Sequence, residues 1–415
     1  MSNRPHRSFQ RLNSRTALAT LTAGVFGALL VAAPLAVTAA PAAGAAAAAY
    51  PQPLPLETIP ASASLPASYP DSWMLVHDFN FNSIIDGRAA IVDVMGTNTN
   101  LKGQIPVAQF GTVIAATKRS EIYTGDTFYS RMTRGERTDV VTIWDKATLA
   151  PKGEILLPGN KRGQMVTIKN GFQLVNDENW LLVFGFTPGA SVFVVDLEAR
   201  KVLNEVPIPG CSMMYPTGQR SFSTLCADGT ISTITLDASG QATTTVTSPQ
   251  PVNDLDHDPM FMMPAMVGRT AWFATFKGQL HGFDFSGAAA RDLGTFSLGT
   301  APSAAPEWRP GGWQVVTSDK AGRVYVLMNP NGRDGSHKDG GSDVWVMDPV
   351  KRVLVQRIAL EAAGVSIEAT QQAQPRLVVA RADGVLDVYD VASGKLERSL
   401  GSSITFSPMT MSAFP

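Results

Sequence analysis

Beyond residue 70 apolar and polar positions alternate with a period of two, in runs broken by Gly, Pro, Asn and Asp. Successive side chains of a strand point to opposite faces, so this pattern predicts short, half-buried β-strands. One motif recurs: an alternating apolar run closing on Asp, then a turn, then a second strand. It reads AAIVD (Asp93), VTIWD (Asp145), VFVVD (Asp196), TITLD (Asp237), LHGFD (Asp284), VWVMD (Asp348) and LDVYD (Asp390). The intervals are 52, 51, 41, 47, 64 and 42 residues. Several copies follow another strand and a glycine-bearing turn, as in FSTLCADGTISTITLD and RLVVARADGVLDVYD. Glycine adopts the positive φ of tight hairpins at low cost. Four strands in a unit of this length make a propeller blade, and the interval is too short for one β-sandwich per copy. The expectation is an all-β, seven-bladed propeller of four-stranded antiparallel blades over residues 71–415. SWMLVHDF and ITFSPMTMSA, near the two ends of that span, are both strand-like. Their pairing within one blade would close the ring and hide an edge. The longest interval contains NPNGRDGSHKDGGSD, too polar and glycine-rich to bury a core and expected to project from a blade end.

Residues 1–49 break this pattern. Arg4, Arg7, Arg11 and Arg15 precede the apolar run ALATLTAGVFGALLVAA and a tract of alanines, and no Asp or Glu occurs before Glu57. That order describes a secretory signal peptide with an alanine-rich cleavage region. The apolar stretch is just long enough to span a bilayer, but its glycines and small residues favour cleavage. No later segment is apolar for long enough to cross a membrane. Residues 50–70 carry six prolines and read as an extended arm, either a free leader or a strap on a partner subunit. Loss of the leader removes four of 34 basic residues and none of 35 acidic ones, leaving about five net negative charges. No basic run suggests nucleic acid.

Export changes the reading of the two cysteines. Cys211 and Cys226 lie 15 positions apart on what read as neighbouring strands, in a compartment where disulfides persist. The spacing excludes a redox CxxC motif, and a zinc site lacks two further ligands. A structural disulfide is expected, worth about 3 kcal/mol by chain entropy. DLDHDP, with Asp254, Asp256, His257 and Asp258, lacks the Gly and Glu of a calcium loop, which fall at Pro259 and Ala265. His77, His257, His281 and His337 form no metal-binding motif, and neither GxSxG nor a phosphate-cradling glycine loop occurs. No catalytic, cofactor-binding or metal-ligating set can be assembled. Two stretches remain distinctive: SRMTRGERTD (130–139), a polar knot, and EWRPGGWQVV (307–316), a turn with two tryptophans.

YSRMTRGERTDVVTIWDKATLAP, VFGFTPGASVFVVDLEARKV, PGCSMMYP with STLCADGTIS, WRPGGWQ, RDGSHKDGGSDVWVMD and DVYDVASGKLERSL occur in that order. In these stretches the chain resembles the heavy subunit of the quinoprotein amine dehydrogenases, of the methylamine and aromatic amine type. The resemblance implies a seven-bladed propeller in a periplasmic enzyme of two heavy and two light subunits. It implies a tryptophan tryptophylquinone on the light subunit and no cofactor in this chain. A primary amine is then oxidised to aldehyde and ammonia, and electrons pass to a small blue copper protein such as amicyanin or azurin. The heavy subunit lines the substrate channel and docks its partners without a catalytic base. In the methylamine type an aromatic residue precedes Leu-Pro at the channel mouth. Here KGQIPV puts Gln104 before Ile105 and Pro106, which leaves both a small aliphatic amine and an arylalkylamine open. The competing reading is a stand-alone secreted propeller acting as a binding or scaffold module.

Overall fold

The computed structural model describes residues 64–83, 85–299 and 307–415. The leader at 1–49 and residues 50–63 of the arm lie outside them. Residues 64–70 pack on this chain: the Leu65 amide bonds the Ala147 carbonyl at 2.8 Å, and the Tyr69 ring meets Phe414 edge-on at 4.8 Å. Among the described residues no helix is long and apolar enough to cross a membrane.

The alternating runs form antiparallel meanders arranged as an all-β propeller. The ring closes in the first blade, where Pro408–Ala413 pairs with Trp73–Asp78, followed outward by Gly87–Asp93 and Leu101–Val107. Buried Asp78 clasps the join by accepting the amides of Phe406 and Ser407, each at 2.8 Å. Four further four-stranded blades span residues 112–157, 172–207, 211–247 and 265–297. The core lies between blades as apolar faces pressed together; Ile91 and Ile105 of the closing blade, for instance, share one cluster with Ile122 and Trp144 of the next.

The expectation of seven four-stranded blades is corrected. Five blades are four-stranded, and the rest of the ring is one eight-stranded sheet. Its cause is the 17-residue strand Val353–Ala369, which pairs with Gly341–Asp348 along its first half and with Arg376–Arg381 along its second. The copies ending at Asp348 and Asp390 share this strand. Gly364 sits at the handover, opposite both Gly341 and Arg381. A Cβ there would come within 2.3 Å of Val379 Cγ1, so the close approach needs glycine.

The repeated Asp has a local cause. Each one ends, or directly follows, the third strand of its meander, and its carboxylate accepts amides of the next turn. Asp145 takes Ala147 and Thr148 at 3.0 and 2.9 Å, Asp196 takes Glu198 and Ala199 at 2.9 and 2.8 Å, and Asp390 takes Ser393 at 2.7 Å. Asp93, Asp237, Asp284 and Asp348 do the same. A short acceptor two residues before an amide is what an Asx turn requires.

These bonds favour the ionised form. They hold Asp145, Asp237, Asp348 and Asp390 below the usual aspartate range, and Asp284, bonded by Ser286 and Arg291, at about 2. Because folding lowers these values, the stabilisation is complete above about pH 4 and is lost as pH falls toward 2. The melting temperature should therefore drop between those limits, modestly because these carboxylates are partly exposed and screened by water, and Asp284→Asn should flatten the slope. An unchanged slope in a thermal-unfolding series would show that this turn is not an acid-sensitive element.

Cys211 and Cys226 stand directly opposite each other in the first two strands of the fourth blade and are joined by a disulfide.

Candidate docking face and axial cavities

A meander places alternate connections at opposite ends of the propeller. The Asp turns collect at one end. The other end gathers the connections at 79–86, 132–133, 158–171, 186–190, 248–264, 330–340 and 401–407. Exposed large apolar side chains concentrate there: Phe81, Ile85, Met132, Met165, Phe186, Leu255 and Phe406 lie in these loops, with Phe128 just below. A Cβ added at Gly163 would touch both Met165 and Phe186 at 3.4 Å, so those two are neighbours. Apolar side chains gathered on one end mark a surface built to be covered.

The hairpin Glu121–Arg131 and Arg134–Asp145 is the longest in the first five blades, and its tip stands above this face. A buried polar network anchors it. Asp139 accepts the Arg162 amide at 3.1 Å and a two-pronged contact from Arg137 at 3.0 and 2.9 Å. The Arg162 guanidinium donates to Thr127 at 2.8 Å and to the Phe110 carbonyl at 3.2 Å. Asp126 accepts Thr124, Thr142 and the Ala108 amide at 2.6, 2.8 and 2.9 Å. Burial pushes the Asp126 carboxyl up and the Arg162 guanidinium down, each opposed by its partners. SRMTRGERTD thus divides: Arg137 and Asp139 belong to the network, whereas Arg131, Arg134 and Glu136 are exposed at the tip. Beside it a cleft of about 400 Å³ runs between the first two blades, lined by Asp86, Gln109, Phe128, Tyr129 and Met132.

Gln104 and Ile105 occupy the outer strand of the closing blade. The Gln104 side chain is exposed and lies 3.4 Å from Arg88 Nη1. Ile105 is 1 % exposed and packs in the core between the first two blades. DLDHDP is a loop in which Asp254 pairs with His257 at 3.0 Å and Asp258 accepts Thr275 and the Lys277 amide at 2.8 and 2.7 Å. His77 is buried, and desolvation lowers its pKa to about 3. His281 bonds Asp292 at 2.7 Å. Among the described residues, no three His, Cys, Asp or Glu side chains form a metal-holding group.

WRPGGWQ carries the chain from the periphery to the axis. Trp308 and Trp345 lie 5.6 Å apart, with the Arg357 guanidinium 4.5 and 4.9 Å from their rings. Gly312 then takes φ +137°, where a Cβ would meet the Val365 carbonyl at 2.5 Å. Beyond it the Trp313 indole donates to the Thr167 carbonyl at 3.2 Å. Gln314 donates to the Ile367 carbonyl at 2.9 Å, bonds Glu368, and accepts the Met411 amide at 2.9 Å. Lys169 approaches Glu368 at 3.5 Å, and burial raises the Glu368 pKa against that attraction. The insertion at 330–340, expected to project, folds back instead: Arg333 pairs with Asp339 at 2.8 Å, and His337 lies over Phe276. Two cavities follow, of about 410 Å³ toward the apolar face and about 380 Å³ toward the Asp turns, and Met263 lines both.

A family model described as methylamine dehydrogenase heavy chain (MADH) matches residues 80–411. The chain is 28% identical over 314 residues to the methylamine dehydrogenase heavy chain of Methylobacillus flagellatus, covering 74% of this chain and 76% of that one. It is 29% identical over 291 residues to the methylamine dehydrogenase heavy chain of Paracoccus versutus, covering 69% and 67%. Among solved structures, a putative 6-phosphogluconolactonase from Bacteroides uniformis superposes with a TM-score of 0.54 at 12% identity, over 82% of this chain and 98% of that one. At that identity the likeness is one of fold alone.

Proposed function

The chain belongs to the methylamine dehydrogenase heavy-chain family, and from that premise we propose that it is the cofactor-free subunit of a periplasmic amine dehydrogenase. In this reading the leader directs export, and two copies assemble with two light chains that each carry tryptophan tryptophylquinone. The quinone supplies the two-electron oxidation of a primary amine to aldehyde and ammonia, and a small blue copper protein takes the electrons. This chain contributes walls: it docks the light chain by its apolar end, excludes water there, and borders the amine's path. The observation that carries the reading is the family match across 80–411, which takes in strands of every sheet. The apolar end supports it, because a surface of this kind is stable when covered. Purification from periplasm should bring down a second, smaller chain together with visible quinone absorbance. Recovery of this chain alone and colourless would favour the scaffold reading.

Gln104 is proposed as the exposed side chain of the channel wall, with Ile105 behind it holding the strand in the core. A wall touches the body of the substrate and takes little part in bond breaking. One apolar group added to a pocket or removed from it is worth about 1–3 kcal/mol, or roughly 10–200-fold. Gln104→Phe should shift the kcat/KM ratio between methylamine and phenylethylamine by a factor in that range, with the limiting rate for the better substrate little changed. A constant ratio across several amines would remove Gln104 from the channel.

A further inference from the structure

The cavity nearer the apolar end, about 410 Å³, is large enough for a small molecule. Segments far apart in the chain build its wall, including Met260, Met262 and Met263 ahead of the fifth blade, Trp313, and Met409 of the closing strand. Thioethers and rings make that wall apolar and adaptable. Among the described residues that line it, the ionisable side chains are His337 and Lys338, both from the folded-back insertion, and none is Asp or Glu. The His337 ring stacks on Phe276 with centroids 4.0 Å apart and planes at 16°. Burial and the charge of Lys338 lower the His337 pKa below the ordinary histidine value. The nearest acidic neighbour in sequence, Asp339, is taken by Arg333 at 2.8 Å. Lys338 has no ion-pair partner among the described residues, so the mouth of the cavity carries one uncompensated positive charge.

We propose that this cavity binds a small amphipathic anion, an aryl or medium-chain alkyl body bearing one carboxylate or sulfonate, with the body among the methionines and the head at Lys338. An ammonium entering the same space would meet a like charge and no counter-charge. The site is therefore separate from the path of an amine, and it stands whether or not a light chain docks outside it.

The test is a titration of the full chain with anilinonaphthalene sulfonate, followed by displacement with decanoate and, separately, with phenylethylammonium. One saturable site is expected, emptied by decanoate and not by the ammonium at equal concentration. Lys338→Glu should weaken decanoate binding about 10-fold or more, the scale of a lost charge-assisted hydrogen bond, with an unchanged melting temperature. Met409→Trp, which fills the space from a partly exposed position, should remove probe binding. Equal displacement by phenylethylammonium would overturn the proposal, as would decanoate affinity indifferent to Lys338→Glu or the absence of a saturable site. Variants that disrupt subunit docking should leave this affinity intact.

Discussion

Arg162→Met is expected to destabilise the chain by about 3–5 kcal/mol, the usual cost of removing one partner from a buried charged network. Arg162 is 4 % exposed, and its backbone and side chain hold three segments together. Its amide meets Asp139, its guanidinium meets Thr127 inside the long hairpin, and the same group holds the Phe110 carbonyl just ahead of the second blade. Methionine fills much of the volume and keeps the backbone amide on Asp139, but it supplies neither guanidinium donor, leaving Thr127 and the Phe110 carbonyl without theirs. Asp126 and Asp139, each 1 % exposed, would lose the nearby positive charge that offsets their burial. A loss of that size is a large fraction of the roughly 5–15 kcal/mol that stabilises a folded domain. Arg162→Lys should recover part of it, because a point charge replaces the fork without its geometry. The urea midpoint at unchanged slope is the measurement. A change below about 1 kcal/mol would mean that Arg137 alone suffices for Asp139.

The second large effect is on assembly. Met165→Glu combined with Phe186→Glu puts two carboxylates at adjacent exposed positions, 38 and 53 % accessible, on the apolar end. Each costs little in the free chain, where water solvates it. Under a docked subunit each becomes a buried charge without a partner. Affinity for the light chain should fall at least about 100-fold, equivalent to about 3 kcal/mol. Val350→Glu, at an 88 % exposed position in an Asp turn of the opposite end, should leave affinity unchanged. Equal binding by the double variant and the parent would move the docking surface elsewhere.

The strands and their Asp caps were legible because both are local. Alternation follows from strand geometry, and an Asx turn needs only a carboxylate two residues before an amide. The knot at 130–139 was half legible: its composition announced ion pairs, but burial of Asp139 depends on Arg162, a residue from another connection. The join between the last two copies carried a signal that the regular repeat masked. VLVQRIALEAAGVSIEA contains no proline and a single glycine, so nothing in it compels the turn that separate blades require. The axis was not legible. Lys169, Gln314, Glu368 and Met411 come from four distant segments, and each looks ordinary in its own strand until closure brings them together. His337 and Lys338 were hidden for a related reason, since a polar, glycine-rich loop does not reveal in sequence that it folds back over the ring.

The central claim is that this chain supplies surface and channel to a quinone that resides on another subunit. Its most direct test is turnover by separately purified subunits, followed as amine-dependent dye reduction. This chain alone should be colourless and should reduce no dye with any primary amine. Adding the mature light chain should give amine-dependent reduction that saturates at one light chain per copy of this chain. Amine oxidation by the isolated, metal-free chain would contradict the account, and so would a light chain that works equally well without it.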